Sequence, residues 1–188
     1  MNRLLIPTVA ALLALSCTST QTQVDGVRSA TQPLCLEGAR VVVLPFSGAP
    51  GYPETGPSAR ELVVRVLAEQ RRVLVISSSR VDAYLKDHAV VASEYDREPL
   101  EALAAELGAS VVVWGSVGQF TPYRFDRLVP ATPPYVELTV RALRVRVPGV
   151  ATATARKQGS LPATLWSRQP TFEDVASVAI LEVIAALK

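Results

Sequence analysis

Arg40-Val41-Val42-Val43-Leu44-Pro45-Phe46 decides the fold of this chain. Its apolar residues are continuous rather than alternating, and most are β-branched, which predicts a strand buried on both faces. Pro45 cannot donate a hydrogen bond to a neighbouring strand, so the pattern predicts that the strand ends there. Residues 47–57 contain three glycines and three prolines and are predicted to form a loop.

A helix is predicted to follow this loop. Ser58 and Glu61 have the Ser-x-x-Glu spacing of a capping box, in which both side chains accept hydrogen bonds from free amides at the helix start. Apolar residues then recur at helical spacing to about residue 70.

Two more apolar strands alternate with two more helices. Residues 73–76 and 111–114 repeat the continuous apolar pattern of a buried strand. Between them, Ser79 begins a second capping pattern and a short helix, and another helix is predicted from Pro99, ending at Gly108. This alternation predicts an α/β fold with some parallel pairing.

The second half of the chain has a different pattern. Residues 136–142 alternate between apolar and polar, which predicts a strand with one buried face. The apolar phase then shifts by one residue, so we expect a β-bulge between Ala142 and Leu143. After a Pro-Gly turn, residues 152–157 are predicted to return as an antiparallel strand, followed by a short strand at 164–166.

A last helix is predicted after Thr171, which forms a capping pattern with Asp174. Its apolar surface is broad, but Glu173, Asp174 and Glu182 indicate a packed helix rather than a membrane span. Together the elements predict a mixed β-sheet of about five strands flanked by helices, in a three-layer α/β sandwich.

The first residues carry a secretory signal that ends at Cys17. Arg3 precedes an apolar run of about a dozen residues, which is shorter than the roughly 20 needed to span a bilayer. Small residues then lead to Cys17, as in bacterial lipoprotein signals, whose cysteine is acylated and becomes residue one. We therefore expect a signal peptide over residues 1–16 and lipidation of Cys17. The alternative is an ordinary cleaved signal with a coincidental cysteine.

This signal predicts the domain organisation and the location. Residues 17–36 are predicted to hold the lipidated terminus and a flexible tether, and residues 37–188 a single α/β domain. No Asp follows Cys17, which favours the outer membrane, with the domain at its periplasmic face. Cys35 is expected to be a buried thiol, with pairing to another molecule as the alternative, and it can pair with Cys17 only if Cys17 is not lipidated.

The order of three motifs resembles a superfamily of bacterial envelope proteins. Its members include the curli-secretion lipoprotein CsgG, the Pel-polysaccharide lipoprotein PelC, the lipoprotein activators of penicillin-binding proteins such as LpoB, and the amino-terminal domain of TolB. The motifs lie at residues 41–46, 73–82 and 103–117, and the resemblance covers about residues 40–188. It implies a small CsgG/TolB-like sandwich that binds partners, and several members form rings or dock on larger machines. The chain is too short for the membrane-spanning hairpins of CsgG.

No residue pattern predicts catalysis, so we expect no enzyme activity, no metal and no cofactor. His88 is the single histidine, which argues against a metal site and against a Ser-His triad with Ser77–Ser79. Gly115-Ser116-Val117-Gly118 lacks the ending of a phosphate loop, and its glycines are expected to allow close strand approach. The acidic loop at 94–98 lacks the glycine of a calcium loop. A net charge of +2 also argues against nucleic acid as a partner.

Two segments could form a partner surface. Residues 119–134 are predicted to form a long loop, and loops of this length inside a domain are often functional. The neighbouring strand adds arginines in a basic strip. The candidate residues are Tyr123, Arg124, Phe125, Arg127, Arg141, Arg144 and Arg146. Aromatic and arginine side chains are favoured at interfaces, and either a protein or an anionic glycan would suit them. A solvated loop beside an edge strand guarded by charge is the alternative.

The sequence therefore predicts a non-enzymatic outer-membrane lipoprotein. Its lipid anchor would hold it in the outer membrane, and its domain would bind or assemble with an envelope secretion, export or structural machine, with a ring of copies as one form of assembly. The alternative is a lipoprotein that activates a cell-wall synthase by direct contact.

Overall fold

The computed structural model describes residues 22–28, 36–69, 73–88, 96–126, 129–159 and 170–187. Cys17, Cys35 and the strand predicted at 164–166 lie outside these residues. The elements in chain order are β1 (Thr22–Arg28), β2 (Arg40–Ser47), α1 (Thr55–Glu69), β3 (Leu74–Val75), α2 (Ser78–Asp87), α3 (Arg97–Leu107), β4 (Val111–Thr121), β5 (Arg124–Asp126), β6 (Val129–Thr132), β7 (Tyr135–Arg144), β8 (Ala151–Gln158) and α4 (Phe172–Ala186).

Six strands form one mixed sheet in the order β1-β8-β7-β4-β2-β3. Strand β2 runs parallel to β3 and β4, whereas the β4–β7, β7–β8 and β8–β1 pairs are antiparallel. The mixed α/β sheet is thus confirmed, and five of its strands are those that the sequence predicts. The sixth strand, β1, lies within the predicted tether, so the prediction of a flexible segment is wrong for residues 22–28. The edge of β8 that faces away from β7 presents backbone hydrogen-bonding groups, and β1 pairs with them.

Helices cover the two faces of the sheet unequally. On one face, α1 and α4 pack side by side and bury the larger apolar cluster, which includes Val63 and Ile180. On the other face, α2 and α3 bury a smaller cluster around Val42, Leu44 and Leu103, beneath β2 and β4. Three layers therefore exist around β2 and β4, and α4 packs against β7 and β8.

The start of α1 differs from the prediction. The helix begins at Thr55, so Ser58 lies inside its first turn and its hydroxyl donates to the Glu54 carbonyl at 3.1 Å. The buried Thr55 hydroxyl instead accepts from the Ala49 amide at 2.9 Å and donates to the Tyr52 carbonyl at 2.7 Å. The predicted capping box at Ser58 is wrong because the helix begins three residues earlier. Gly56 and Pro57 lie in its first turn, where a proline is tolerated because its missing amide would have no partner within the helix.

Two predicted interruptions of strands are also wrong. Strand β2 continues past Pro45 to Ser47, and a register shift between β2 and β4 absorbs the missing donor. Strand β7 has no bulge at Ala142 and Leu143, because its pairing with β4 is continuous there. Ala142 belongs to the cluster under α1 and α4, and Leu143 to the cluster under α2 and α3. Burial on both faces, not an extra residue, causes the apolar phase shift.

The helix ends agree better with the sequence. Gly108 ends α3 in the left-handed conformation, with φ 67°, and Thr171 with Asp174 forms the predicted capping box of α4. The other two starts lie slightly earlier than predicted, at Ser78 for α2 and Arg97 for α3. Among the described helices, none has the length and apolar character to cross a membrane.

Candidate functional site

A β-hairpin occupies the segment predicted as a long loop. Strand β4 extends to Thr121, and β5 and β6 then pair antiparallel, with Arg124 opposite Thr132. The loop prediction over 119–134 is therefore wrong. Each strand of a two-stranded ribbon has a free edge, so the prolines of this segment do not prevent pairing. Tyr123 is half-buried and Arg124 is exposed at the entrance to this hairpin.

Aromatic side chains fix the base of the hairpin. The Phe120 ring meets the Tyr52 ring edge-to-face, with centroids 5.1 Å apart, and meets the Phe172 ring in the same way at 5.3 Å. These contacts join the end of β4 to the loop before α1 and to the start of α4. We call this end of the sheet the hairpin end.

Exposed arginines collect at the opposite end of the sheet. Arg144 ends β7 and pairs with Val111, which in turn pairs with Val41, the neighbour of Arg40. Arg146 follows in the turn between β7 and β8. We call the exposed residues Arg40, Arg144 and Arg146 the arginine rim. Its position follows from the strand order, because the last residue of β7 lies beside the first residues of β4 and β2.

The turn that carries Arg146 is held in an unusual conformation. Arg146 has φ 66°, in the left-handed region that non-glycine residues seldom adopt. Arg97 of α3 donates to the Val147 carbonyl at 2.7 Å and forms an ion pair with Glu101, also at 2.7 Å. Such strain persists only where surrounding contacts hold it, and the hydrogen bond from Arg97 to Val147 is one contact that stabilises this turn. Sequence reasoning missed Arg40 and Arg97, since only the strand order brings them to this end.

The structure separates the residues predicted as one partner surface. Tyr135 at the start of β7 and Arg144 at its end are about 30 Å apart along the strand. Tyr123 and Arg124 therefore lie at one end of the domain, and Arg144 and Arg146 at the other. Phe125 lies in β5 with the first pair, and Arg127 lies outside the described residues. Arg141 is exposed on the opposite face of β7 from Arg144, because side chains alternate along a strand.

The groups considered for catalysis are also apart. Ser77 precedes α2, whereas His88 follows its last residue, a separation of about 15 Å along a helix of this length. The His88 ring stacks on Tyr84 with centroids 4.0 Å apart, and its Nδ1 lies 3.0 Å from the Tyr84 carbonyl. Within the part of the chain that the structure describes, no three His, Cys, Asp or Glu residues form a group that could hold a metal ion.

The glycines of the 115–118 segment have structural roles in β4. A Cβ atom on Gly115 would overlap the Thr139 carbonyl oxygen of β7 and lie 2.5 Å from the Phe46 ring. The close strand approach predicted for this segment is thus confirmed at Gly115. Gly118 lies where the register between β4 and β7 shifts.

A buried ion pair joins the last helix to the sheet, and sequence reasoning missed it. The Lys157 ammonium on β8 lies 3.1 Å from the Glu182 carboxylate on α4, and 7% of the lysine side chain is exposed. The alternation along β8 could have predicted that Lys157 is buried, because it follows Ala153 and Ala155 at alternate positions on the buried face. The pair positions α4 over β8.

Known proteins match the chain in fold but not in sequence. No protein-family model matches it, and no curated protein has a significant match. Among solved structures, the PelC L103M dodecamer from Paraburkholderia phytofirmans aligns with a TM-score of 0.54 and 18% identity, covering 89% of this chain and 97% of that one. The LpoB C-terminal domain from Salmonella enterica aligns with a TM-score of 0.51 and 11% identity, covering 69% and 89%.

These matches place the chain in a structural class. The class is an α/β fold with a mixed sheet and helices on both faces. More particularly, it is the fold shared by PelC and the LpoB C-terminal domain. At these identities the likeness concerns the fold alone, and the predicted resemblance is confirmed at that level.

Proposed function

We propose that this protein is a non-enzymatic lipoprotein of the bacterial outer membrane. Cys17 carries the lipid after removal of residues 1–16, the domain lies on the periplasmic face, and it binds or assembles with an envelope secretion, export or structural machine. The arginine rim is the contact surface for that machine. The tether keeps the domain at the membrane and so raises its local concentration around the partner.

The observation that carries this proposal is the position of the rim relative to the start of β1, at opposite ends of the sheet. Strand β1 begins at Thr22, paired with Lys157 at the hairpin end, so the chain from Cys17 enters the domain there. The rim lies at the other end and projects away from the anchor. Exposed arginines at that end can reach a partner in the periplasm, and they favour acidic surfaces through charge-assisted hydrogen bonds.

The fold matches support two forms of this function. PelC of the same fold is a dodecamer, which supports assembly of copies into a ring. The match to the LpoB C-terminal domain supports the alternative, in which the domain activates a cell-wall synthase by contact. Both forms need a binding surface and no catalytic group.

Charge reversal on the rim tests the proposal. We expect Arg144→Glu with Arg146→Glu to abolish co-purification of the partner from cross-linked membranes, while the domain still folds. Arg80→Glu is the matched control, because Arg80 is also exposed and lies on α2, outside the rim. Retention of the same partner by the double variant would contradict the proposed surface. Light scattering of the detergent-solubilised protein tests the ring, and a monomer at high concentration would exclude it.

A further inference from the structure

The chain between the anchor and the domain is short. Thr22 follows Cys17 by five residues, and an extended chain spans at most about 3.5 Å per residue. With β1 paired to β8, the residue that bears the lipid therefore lies within about 17 Å of Thr22. This limit depends on the chain length and on the pairing of β1, not on the path of the intervening residues.

Strand register shows what else lies at this end. Thr22 pairs with Lys157, Gln158 pairs with Tyr135, and Tyr135 pairs with Thr121. Thr121 leads into hairpin β5–β6, and the same hairpin leads back into β7. The start of β1 and the base of the hairpin therefore lie at the same end of the sheet, about three strand spacings of 4.8 Å apart.

We infer that the hairpin end rests on the membrane surface, and that Tyr123 and Arg124, where the chain enters hairpin β5–β6, form a second membrane contact beside the lipid. The inference rests on the proposed lipidation of Cys17 and extends it to the orientation of the domain. Because the tether is short, the hairpin end can move away from the lipid headgroups by no more than the length of the tether. Apolar side-chain area buried at the interface would add to the membrane binding that the acyl chains on Cys17 provide.

The side chains at the hairpin suit a lipid surface. Tyr123 and Arg124 each combine an apolar body with a polar tip, and such residues favour the boundary between headgroups and acyl chains. The same end also carries the acidic pair Glu173 and Asp174 at the start of α4. These carboxylates oppose attraction to anionic lipid, so the contact depends on the aromatic and apolar groups rather than on a basic patch.

Photo-crosslinking from the lipidated protein in vesicles tests the orientation. The vesicles consist of phosphatidylethanolamine and phosphatidylglycerol, and a benzophenone side chain replaces Tyr123 in one variant and Arg146 in a matched variant. We expect phospholipid adducts from position 123 and none from position 146. Adducts from position 146, or their absence at position 123, would overturn the inference. Adducts from position 123 to a second protein chain instead of lipid would also overturn it.

A second measurement separates this inference from the lipidation itself. Mature protein with Cys17→Ser has no lipid, so its sedimentation with the same vesicles reports the hairpin contact alone. We expect weak binding that falls several-fold in Tyr123→Ser and is unchanged in Arg146→Ser. If the lipid is absent from natural Cys17 but this binding persists, the proposed anchor fails and the membrane contact stands. If the lipid is present but Tyr123→Ser binds as well as the parent protein, the membrane contact is wrong.

Discussion

Gly115→Ala provides a sharp test of the packing between β4 and β7. The added Cβ would overlap the Thr139 carbonyl oxygen and lie 2.5 Å from the Phe46 ring. The carbonyl belongs to a paired strand and cannot rotate away, so relief requires β7 to move. Overpacking in a core costs typically about 1–3 kcal/mol, and we expect the upper part of that range. For a domain of this size each kcal/mol lowers Tm by about 2–4 °C, so the melting temperature should fall by roughly 6–12 °C.

Thermal and urea denaturation followed by circular dichroism would measure this loss. Gly118→Ala is the matched control in the same strand, because its Cβ would lie 3.6 Å from the Glu137 side chain, an ordinary contact distance. We expect that variant to unfold within about 0.5 kcal/mol of the parent protein. Equal stability of both variants, or an equal loss in both, would refute the packing described for Gly115.

Three further predictions concern single side chains. Arg146→Gly should raise the free energy of unfolding by about 0.5–1 kcal/mol, because glycine adopts the left-handed conformation at φ 66° without steric strain. Urea titration would measure this change, and a lower free energy of unfolding would contradict the prediction. Thr171→Ala should lower the free energy of unfolding by about 1 kcal/mol, because it removes the capping box of α4; an unchanged urea midpoint would contradict that role. Burial, and then the nearby Glu106 carboxylate, raise the pKa of Tyr84 above its ordinary value of 10.0. The unfolded chain then loses this proton first, so stability falls as pH rises above about 10, and Tyr84→Phe should make the urea midpoint less sensitive to pH there.

Local patterns in the sequence predict the elements that burial determines. The strands around residues 40–46 and 111–114 are buried on both faces, so their apolar residues are continuous and signal the strand directly. Gly108 and Thr171 act on their own helix ends and need no information from elsewhere in the chain. The mixed sheet and its flanking helices could therefore be predicted.

Elements that depend on pairing partners could not be predicted in this way. Residues 22–28 are largely polar, and they form β1 because β8 offers a free edge. The phase shift at Ala142 and Leu143 is compatible with a bulge or with burial on both faces, and only the position of α2 and α3 decides between them. In both cases the deciding contact is distant in sequence.

The candidate surface was predictable as a set of residues but not as an arrangement. Tyr123, Arg124, Arg144 and Arg146 have the composition of an interface, and spacing along the chain does not show which of them share an end of the sheet. The length of β7 separates the hairpin from the arginines, and the order β7-β4-β2 adds Arg40 to the rim. This separation yields two surfaces with different proposed partners, lipid at one end and an envelope machine at the other.

The orientation of both surfaces depends on the lipid at Cys17, so intact-mass spectrometry of the protein extracted from membranes is the most direct test. We predict a chain that begins at Cys17 and carries two or three acyl chains on that residue. A chain that retains residues 1–16, or that begins with an unmodified cysteine, would contradict the anchored orientation.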